Sequence, residues 1–425
     1  MECTYVFEHP HQNTGIQRVV KNILKNAPKN QSIPIVILDN QIFELKDLSC
    51  LYRFKFWDQV KNKVENPKRK IRAKVAEPWA SMIIWILKKI FPIYRLCRFF
   101  VSYIRSLFKK PTLATQAMVP LEPKDGDTLL LLDSSWHSDF LGCIKDLKDR
   151  HNLTVISVIY DLIPLTHSQF CSSELVPIFT HWLNWVSMHS HGFIGISRAV
   201  KDEIQSYVKT QNRSSPLPWF DFFYLGSDMS ACSQKGNLPG SGPFYLMVGT
   251  IEPRKNQFFA IEAFEGIWAQ GVDLQLWIVG RIGWLCGDQL AKIRNHPQYK
   301  KNLFLFDHFS DSELDEAYKN ARALIMPSVT EGFGLPIVEA LSRGCPVMAS
   351  DIPIFREIGG DHLAYFDLDS PQSLSQLVQK YETSGTFPAQ KPIKDWSWIS
   401  WEEATRNIFA ILGRRGLVST LSSDN

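Results

Sequence analysis

The 425-residue sequence contains no Gly-x-Gly-x-x-Gly stretch and no P-loop, so dinucleotide oxidoreduction and ATP hydrolysis lose their usual support. Cysteine forms no pattern either: the eight residues are dispersed, at positions 3, 50, 97, 143, 171, 232, 286 and 345, with no Cys-x-x-Cys pair and no zinc-like Cys/His spacing. That excludes the common structural zinc sites and suits a reducing cytosol. His181, His189 and His191 have no acidic partner at a regular ligand spacing and read as ordinary surface or interhelix histidines, so no metal is expected. No secretory leader is recognisable near Met1, because Thr4-Tyr5-Val6-Phe7 is too short for a signal's apolar region and runs straight into Glu8 and His9. A cytoplasmic location is the expectation.

The composition itself, 45% hydrophobic and 21% charged, is that of a globular protein, and the length exceeds one ordinary core, suggesting two domains. The net charge of +4 conceals an asymmetry: residues 61–110 hold 14 Lys/Arg against Glu65 and Glu77, a local +12 that leaves the remaining chain near −8. Within 78–110, aromatic residues such as Trp79, Trp85, Phe91, Tyr94, Phe99 and Tyr103 alternate with Lys88, Lys89, Arg95 and Arg98. Charges recur too often there for a spanning helix of about 20 apolar residues. The mixture suits an interfacial position on an anionic membrane surface, where each nearby cation contributes roughly 1 kcal/mol; the competing reading is an insertion helix pair packed on the first domain. No nucleic-acid-binding module is recognised, and no nucleic acid partner is expected.

The first half alternates short apolar runs, at 4–7, 33–38, 128–133, 154–161 and 192–197, with helical patterns, as buried parallel strands do. Between the first two runs, residues 15–24 space their apolar positions for a helix packed on a sheet. The second half repeats the alternation, from Phe244 through 276–279, 303–306, 323–326, 346–350 and 363–366. Two doubly wound α/β halves follow. The Pro/Gly/Ser stretch at 237–243 precedes a strand and reads as an interdomain linker. The expected division is a domain over 1–240 with a basic aromatic insertion around 60–112, a second over 241–394, and a final amphipathic helical segment over 395–425.

The most informative stretch is Glu331-Gly332-Phe333-Gly334-Leu335-Pro336-Ile337-Val338-Glu339, which follows the apolar run at 323–326 and ends inside a predicted helix that stops at Gly344. Two carboxylates bracket a glycine turn at a helix entrance. Unpaired helix N–H groups attract phosphate, glycines permit close approach, and carboxylates accept hydrogen bonds from sugar hydroxyls. The combination points to a site for a sugar nucleotide.

With Val248-Gly249-Thr250-Ile251-Glu252-Pro253-Arg254-Lys255-Asn256, Val279-Gly280-Arg281-Ile282-Gly283-Trp284 and Gly344-Cys345-Pro346-Val347 in the same order, this stretch resembles retaining, family-4 type glycosyltransferases, also described as glycosyl transferases group 1. Bacterial surface-polysaccharide mannosyltransferases are the most similar. The resemblance implies a GT-B fold, two doubly wound Rossmann-like domains facing across a cleft, with the final helix crossing back to the first domain. It implies that Lys255 binds the donor diphosphate, with Arg254 or Arg281 supplying the charge where many relatives carry a basic residue and this chain has Thr250. It also implies that Glu339 binds the ribose hydroxyls, that Glu331 faces the donor sugar, and that peptide N–H groups around Gly332, Phe333, Gly334 and Leu335 meet the sugar or distal phosphate.

Gly249 ends the strand before the cations, where ligands of open α/β sheets gather. In the first half, Asn13-Thr14-Gly15 resembles the loop that approaches the donor phosphate; a capped helix start explains it as well. Tyr160-Asp161-Leu162-Ile163-Pro164 resembles the acceptor-side loop, in which Asp161 either hydrogen-bonds a reacting hydroxyl or caps the following turn. The expected activity is transfer of a hexose, with mannose and GDP-mannose the leading candidates, from a nucleotide diphosphate sugar to a glycan or lipid-linked glycan. No cofactor is expected, and the location is cytoplasmic and peripheral on the inner face of the cell membrane. A GT-B sugar-nucleotide epimerase and a catalytically silent glycan-binding or scaffold subunit are the alternatives.

Overall fold

The computed structural model describes residues 1–10, 14–52, 118–137, 140–211, 217–227, 236–240, 242–284 and 286–418. The basic aromatic segment around 60–112 and Asn13 lie outside the described residues. In the first half, β1 (Ile35–Leu38), β2 (Gln41–Leu45) and β3 (Met118–Pro120) form an antiparallel meander. Beside it, β4 (Thr128–Leu131), β5 (Thr154–Ile159), β6 (Gly192–Gly195) and β7 (Trp219–Phe222) run parallel. Glu2 joins the two sets by bridging Ile35 on one side and Leu131 on the other. The first sheet is therefore mixed rather than parallel throughout.

In the second half, β8 (Phe244–Val248), β9 (Gln275–Val279), β10 (Leu303–Phe306), β11 (Leu324–Met326), β12 (Val347–Ser350) and β13 (Ala364–Phe366) form a parallel sheet in the order β10-β9-β8-β11-β12-β13. The order reverses between β8 and β11, which puts a crevice at their carboxyl ends. β11 is buried along its whole length, and its run of Leu, Ile and Met is what a strand covered on both faces requires.

Two segments tie the halves together near β7. Trp398 donates its indole N–H to the Leu225 carbonyl at 2.7 Å, and Ser227 N–H bonds to Ile399 O at 3.1 Å. Gly226 has no room for a side chain there, because a Cβ would stand 2.4 Å from the Trp401 backbone. The helix Trp401–Arg414 then packs on the helix Gly15–Asn26 of the first half. Among the described residues no helix is long and apolar enough to cross a membrane.

The apolar run at 4–7 is a helix, Thr4–Glu8, not a strand. Two buried carboxylates impose this: Glu2 Oε1 accepts from Thr4 N–H at 2.7 Å and Asp133 Oδ2 from Val6 N–H at 2.7 Å, drawing those donors out of any ladder. Burial first, and then the Asp133 charge, push the Glu2 carboxyl up to about 8; burial also raises Asp133, to about 6. Because both folded values lie above the unfolded ones, the folded state holds protons more tightly. The stability this contributes is present below about pH 4 and is lost as pH rises through the folded values. The melting temperature should therefore fall between about pH 4 and 8, and Glu2→Gln, which keeps an acceptor for Thr4 and removes the charge, should flatten that slope. Parallel melting curves for the two proteins across this range would contradict the assignment.

Candidate active site in the interdomain cleft

The charged centre is built by the loop after β8. Gly249 has φ 149 and Gly280 lies against it so closely that a Cβ on Gly280 would stand 1.8 Å from the Gly249 carbonyl oxygen. Ile251 N–H donates to Arg281 O at 2.8 Å and Gly283 N–H to Ile251 O at 3.0 Å, so the loops leaving β8 and β9 are zipped together. Pro253–Lys255 then forms a single 3₁₀ turn that sets two cations side by side.

Arg254 Nη2 meets Glu252 Oε1 at 2.6 Å, while its Nη1 meets Glu331 Oε2 and the Thr330 carbonyl, each at 2.7 Å. Lys255 Nζ donates to the other oxygen of Glu331. Burial alone would raise the Glu331 carboxyl, but the charges and hydrogen bonds of Arg254 and Lys255 hold it at about 2. Glu252 is raised, burial outweighing its pairing with Arg254. Burial opposes the charge on Arg254 as well, yet Glu331 and Glu252 keep its value above the usual one. The turn is also pinned through its backbone, Val329 N–H bonding to Arg254 O at 3.0 Å. A small cavity lined by Gly249, Lys255, Gln257, Met326 and Ser328 opens beside it.

The first half meets this centre at Gly332. A Cβ there would stand 2.1 Å from the Tyr160 carbonyl oxygen and 3.1 Å from Asp161 Cβ, and Ser197 Oγ donates to the Gly332 carbonyl at 3.1 Å. Asp161 and Glu331 therefore face each other across the cleft. The Asp161 carboxyl is raised by burial, against the pull of Arg254, and its Oδ1 accepts from Ile163 N–H at 3.0 Å. The turn-capping role is thus present, and it occupies one of the two oxygens.

Glu339 lies in the helix Leu335–Leu341, whose N-cap Gly334 has φ 103. Its Oε1 meets Arg18 Nη2 at 2.5 Å and its Oε2 accepts from Tyr318 OH at 2.9 Å. Phe333 is buried against Tyr224 and Trp398, with ring centroids 6.4 and 5.9 Å away. Gly15 begins the helix Gly15–Asn26 behind Thr14, whose N–H is accepted by Gln17 Oε1 at 2.9 Å; a Cβ on Gly15 would meet nothing within 4 Å.

The structure thus brings Arg254, Lys255, Glu331, Gly332 and Asp161 together. Arg281 is exposed, and among the described contacts it joins this network only through its backbone carbonyl. Three groups escaped sequence reasoning: Glu252, Tyr318 and Arg18. Glu252 stands two residues before Arg254 inside the quoted stretch and carried a readable signal; the other two did not, since Arg18 and Glu339 are 321 residues apart.

Two Rossmann-like domains meeting across a charged cleft define a protein of the GT-B fold. Residues 228–393 match the family described as Glycosyl transferases group 1. The chain is 32% identical over 261 residues to the serotype-specific mannosyltransferase WbdA of Escherichia coli, an alignment covering 58% of this chain and 32% of that protein. The O-antigen chain mannosyltransferase RfbU of Salmonella typhimurium is 30% identical over 187 residues, covering 44% of this chain and 50% of that one. The chain thus spans between about a third and a half of the length of these relatives. A crystal structure of Anabaena Alr3699/HepE in complex with UDP and glucose superposes with a TM-score of 0.53 at 14% identity, covering 68% of this chain and 78% of that one.

Proposed function

We propose that this chain is a retaining glycosyltransferase that moves a hexose, mannose, from a nucleotide diphosphate sugar to a hydroxyl of a glycan or lipid-linked glycan in surface-polysaccharide synthesis. The observation that carries the reading is the buried Arg254–Lys255–Glu331 cluster facing Asp161 across the cleft. The mannosyltransferase relatives support the sugar, and the UDP- and glucose-bound structural neighbour supports a nucleotide-sugar donor.

In the reaction, the bond from the sugar's anomeric carbon to the phosphate oxygen breaks and a bond to the acceptor oxygen forms on the same face. The acceptor's proton passes to the departing phosphate. Lys255 and Arg254 neutralise the charge that develops on the diphosphate, in a setting where preorganised cations act most strongly. Glu331, held at about 2, stays ionised and is a poor proton acceptor near neutrality, which suits alignment of sugar hydroxyls rather than general base catalysis. Glu339 accepts from the ribose, the peptide N–H groups of Phe333, Gly334 and Leu335 face the sugar or distal phosphate, and the loop at Gly15 approaches the phosphate from the other domain. Asp161, with its raised carboxyl, orients the acceptor hydroxyl.

The test is incubation of the chain with GDP-mannose and an α-mannoside acceptor, alongside other nucleotide sugars. Transfer with the anomeric configuration kept, and no donor conversion when acceptor is omitted, is the expected outcome. Conversion of donor alone to an epimer, or tight nucleotide binding with no transfer from any donor, would sink the reading. The peripheral membrane location rests on the basic segment around 60–112; the full chain should sediment with anionic but not neutral vesicles, less so as salt rises, and equal sedimentation with both would remove that part.

A further inference from the structure

The cleft without donor holds no surplus of positive charge. Arg18, Arg254 and Lys255 each contact a carboxylate, drawn from Glu339, Glu252 and Glu331, and Asp161 adds a further carboxyl beside these groups. A nucleoside diphosphate adds negative charge to that set, so it is held best if a cation leaves its carboxylate and a neutral donor takes the vacated place. Arg254 is poorly placed to leave, since it spans two carboxylates and the Thr330 carbonyl with a side chain only 15% exposed. Arg18 is the most exposed of the three, at 34% against 15% and 14%. Its partner is the one carboxylate here assigned to ribose, whose hydroxyls are themselves hydrogen-bond donors.

We propose that Arg18 is a donor-binding residue supplied by the first domain, exchanging the Glu339 carboxylate for the donor's diphosphate as the ribose hydroxyls take its place on Glu339. This rests on the nucleotide-sugar reading of the cleft. The exchange replaces the broken ion pair on both sides: Glu339 keeps Tyr318 OH on Oε2 and trades a guanidinium for hydroxyls on Oε1, while the guanidinium gains phosphate oxygens, which match its forked donors. Because Arg18 and Glu339 belong to different halves, the exchange also couples the arrival of the donor to the packing of the helix Gly15–Asn26 against the second domain. Arg18 competes with the nucleoside moiety and assists the diphosphate, so the two parts of the ligand respond to its removal in opposite directions.

Calorimetry on the full chain with uridine, guanosine, UDP and GDP tests this in wild type, Arg18→Met and Arg18→Lys. In Arg18→Met the preferred nucleoside diphosphate should bind about tenfold more weakly, the scale of one charge-assisted contact, while the matching nucleoside binds as well as before or better. Arg18→Lys, which keeps the charge but not the fork, should fall between, and it decides the matter if the methionine variant does not fold. Equal weakening of nucleoside and diphosphate would mean that Arg18 merely supports Glu339, and unchanged affinities for both would mean that it stays out of the donor site; either result overturns the proposal. A wild-type chain that binds neither UDP nor GDP would instead overturn the nucleotide-sugar reading on which it stands.

Discussion

Lys255→Ala should lower turnover by about 10²-fold or more with donor saturating, the scale of losing one preorganised electrostatic group at a developing charge. The ground for so large an effect is the surroundings of the ammonium. Its side chain is 14% exposed, its Nζ lies on Glu331, and its methylenes run past Gly249, where a Cβ would stand 3.5 Å from Cε. In such a confined place water cannot substitute for the missing charge as it would on an open surface. The variant should still fold, because Glu331 retains Arg254 at 2.7 Å and is not left as a bare buried charge. The measurement is release of nucleoside diphosphate under saturating cognate donor and acceptor, with the melting temperature as a folding control. Turnover within a few-fold of wild type in a folded variant would remove Lys255 from the charge-neutralising role and leave Arg254 as the principal cation.

The parts of the fold that the sequence disclosed are those whose causes are local. β11 is a short apolar run buried along its whole length between two neighbouring strands, and such a run stands out whatever surrounds it. The segment at 4–7 is equally apolar, and periodicity cannot separate a short buried helix from a strand; what decides is Asp133, 127 residues away from Val6. β2 and β3 escaped notice because they are short and part-exposed, and they pair with each other across a long intervening stretch. The same division runs through the site. Arg254, Lys255 and Glu331 lie in two quoted stretches and were readable, with the fine geometry of the 3₁₀ turn supplied by Pro253 and the left-handed Asn256. Arg18 was not readable, since on a helix with buried Val19, Val20, Ile23 and Leu24 a charged residue reads simply as part of the solvated face. Only the approach of the two domains turns that face toward Glu339.

That approach has a point of smallest tolerance, and Gly332→Val should expose it. Gly332 does not have the positive φ that restricts Gly249 or Gly334, so a side chain is not forbidden by its own backbone. The obstacle is the other domain: a Cβ would stand 2.1 Å from the carbonyl oxygen of Tyr160 and 3.1 Å from Asp161 Cβ. A carbonyl oxygen is backbone and has no rotamer with which to retreat, so relief requires the loops, and the domains that carry them, to separate. Glu331 and Asp161 flank the contact, and the separation pulls the donor-side and acceptor-side carboxylates apart. Misplacement of reacting groups by about 1 Å costs on the order of 10²-fold in rate, so turnover should fall by about that factor. Affinity for the nucleoside diphosphate should fall less, because Lys255, Arg254 and Glu339 belong to the second domain and the first supplies only Arg18 among the charged groups assigned to the donor. Gly332→Ala should show a smaller loss of the same kind, and small-angle scattering should report a larger radius of gyration for the valine variant than for wild type. A valine variant with wild-type turnover and dimensions would mean that the loop yields within one domain and that the Tyr160–Gly332 contact does not set the width of the cleft.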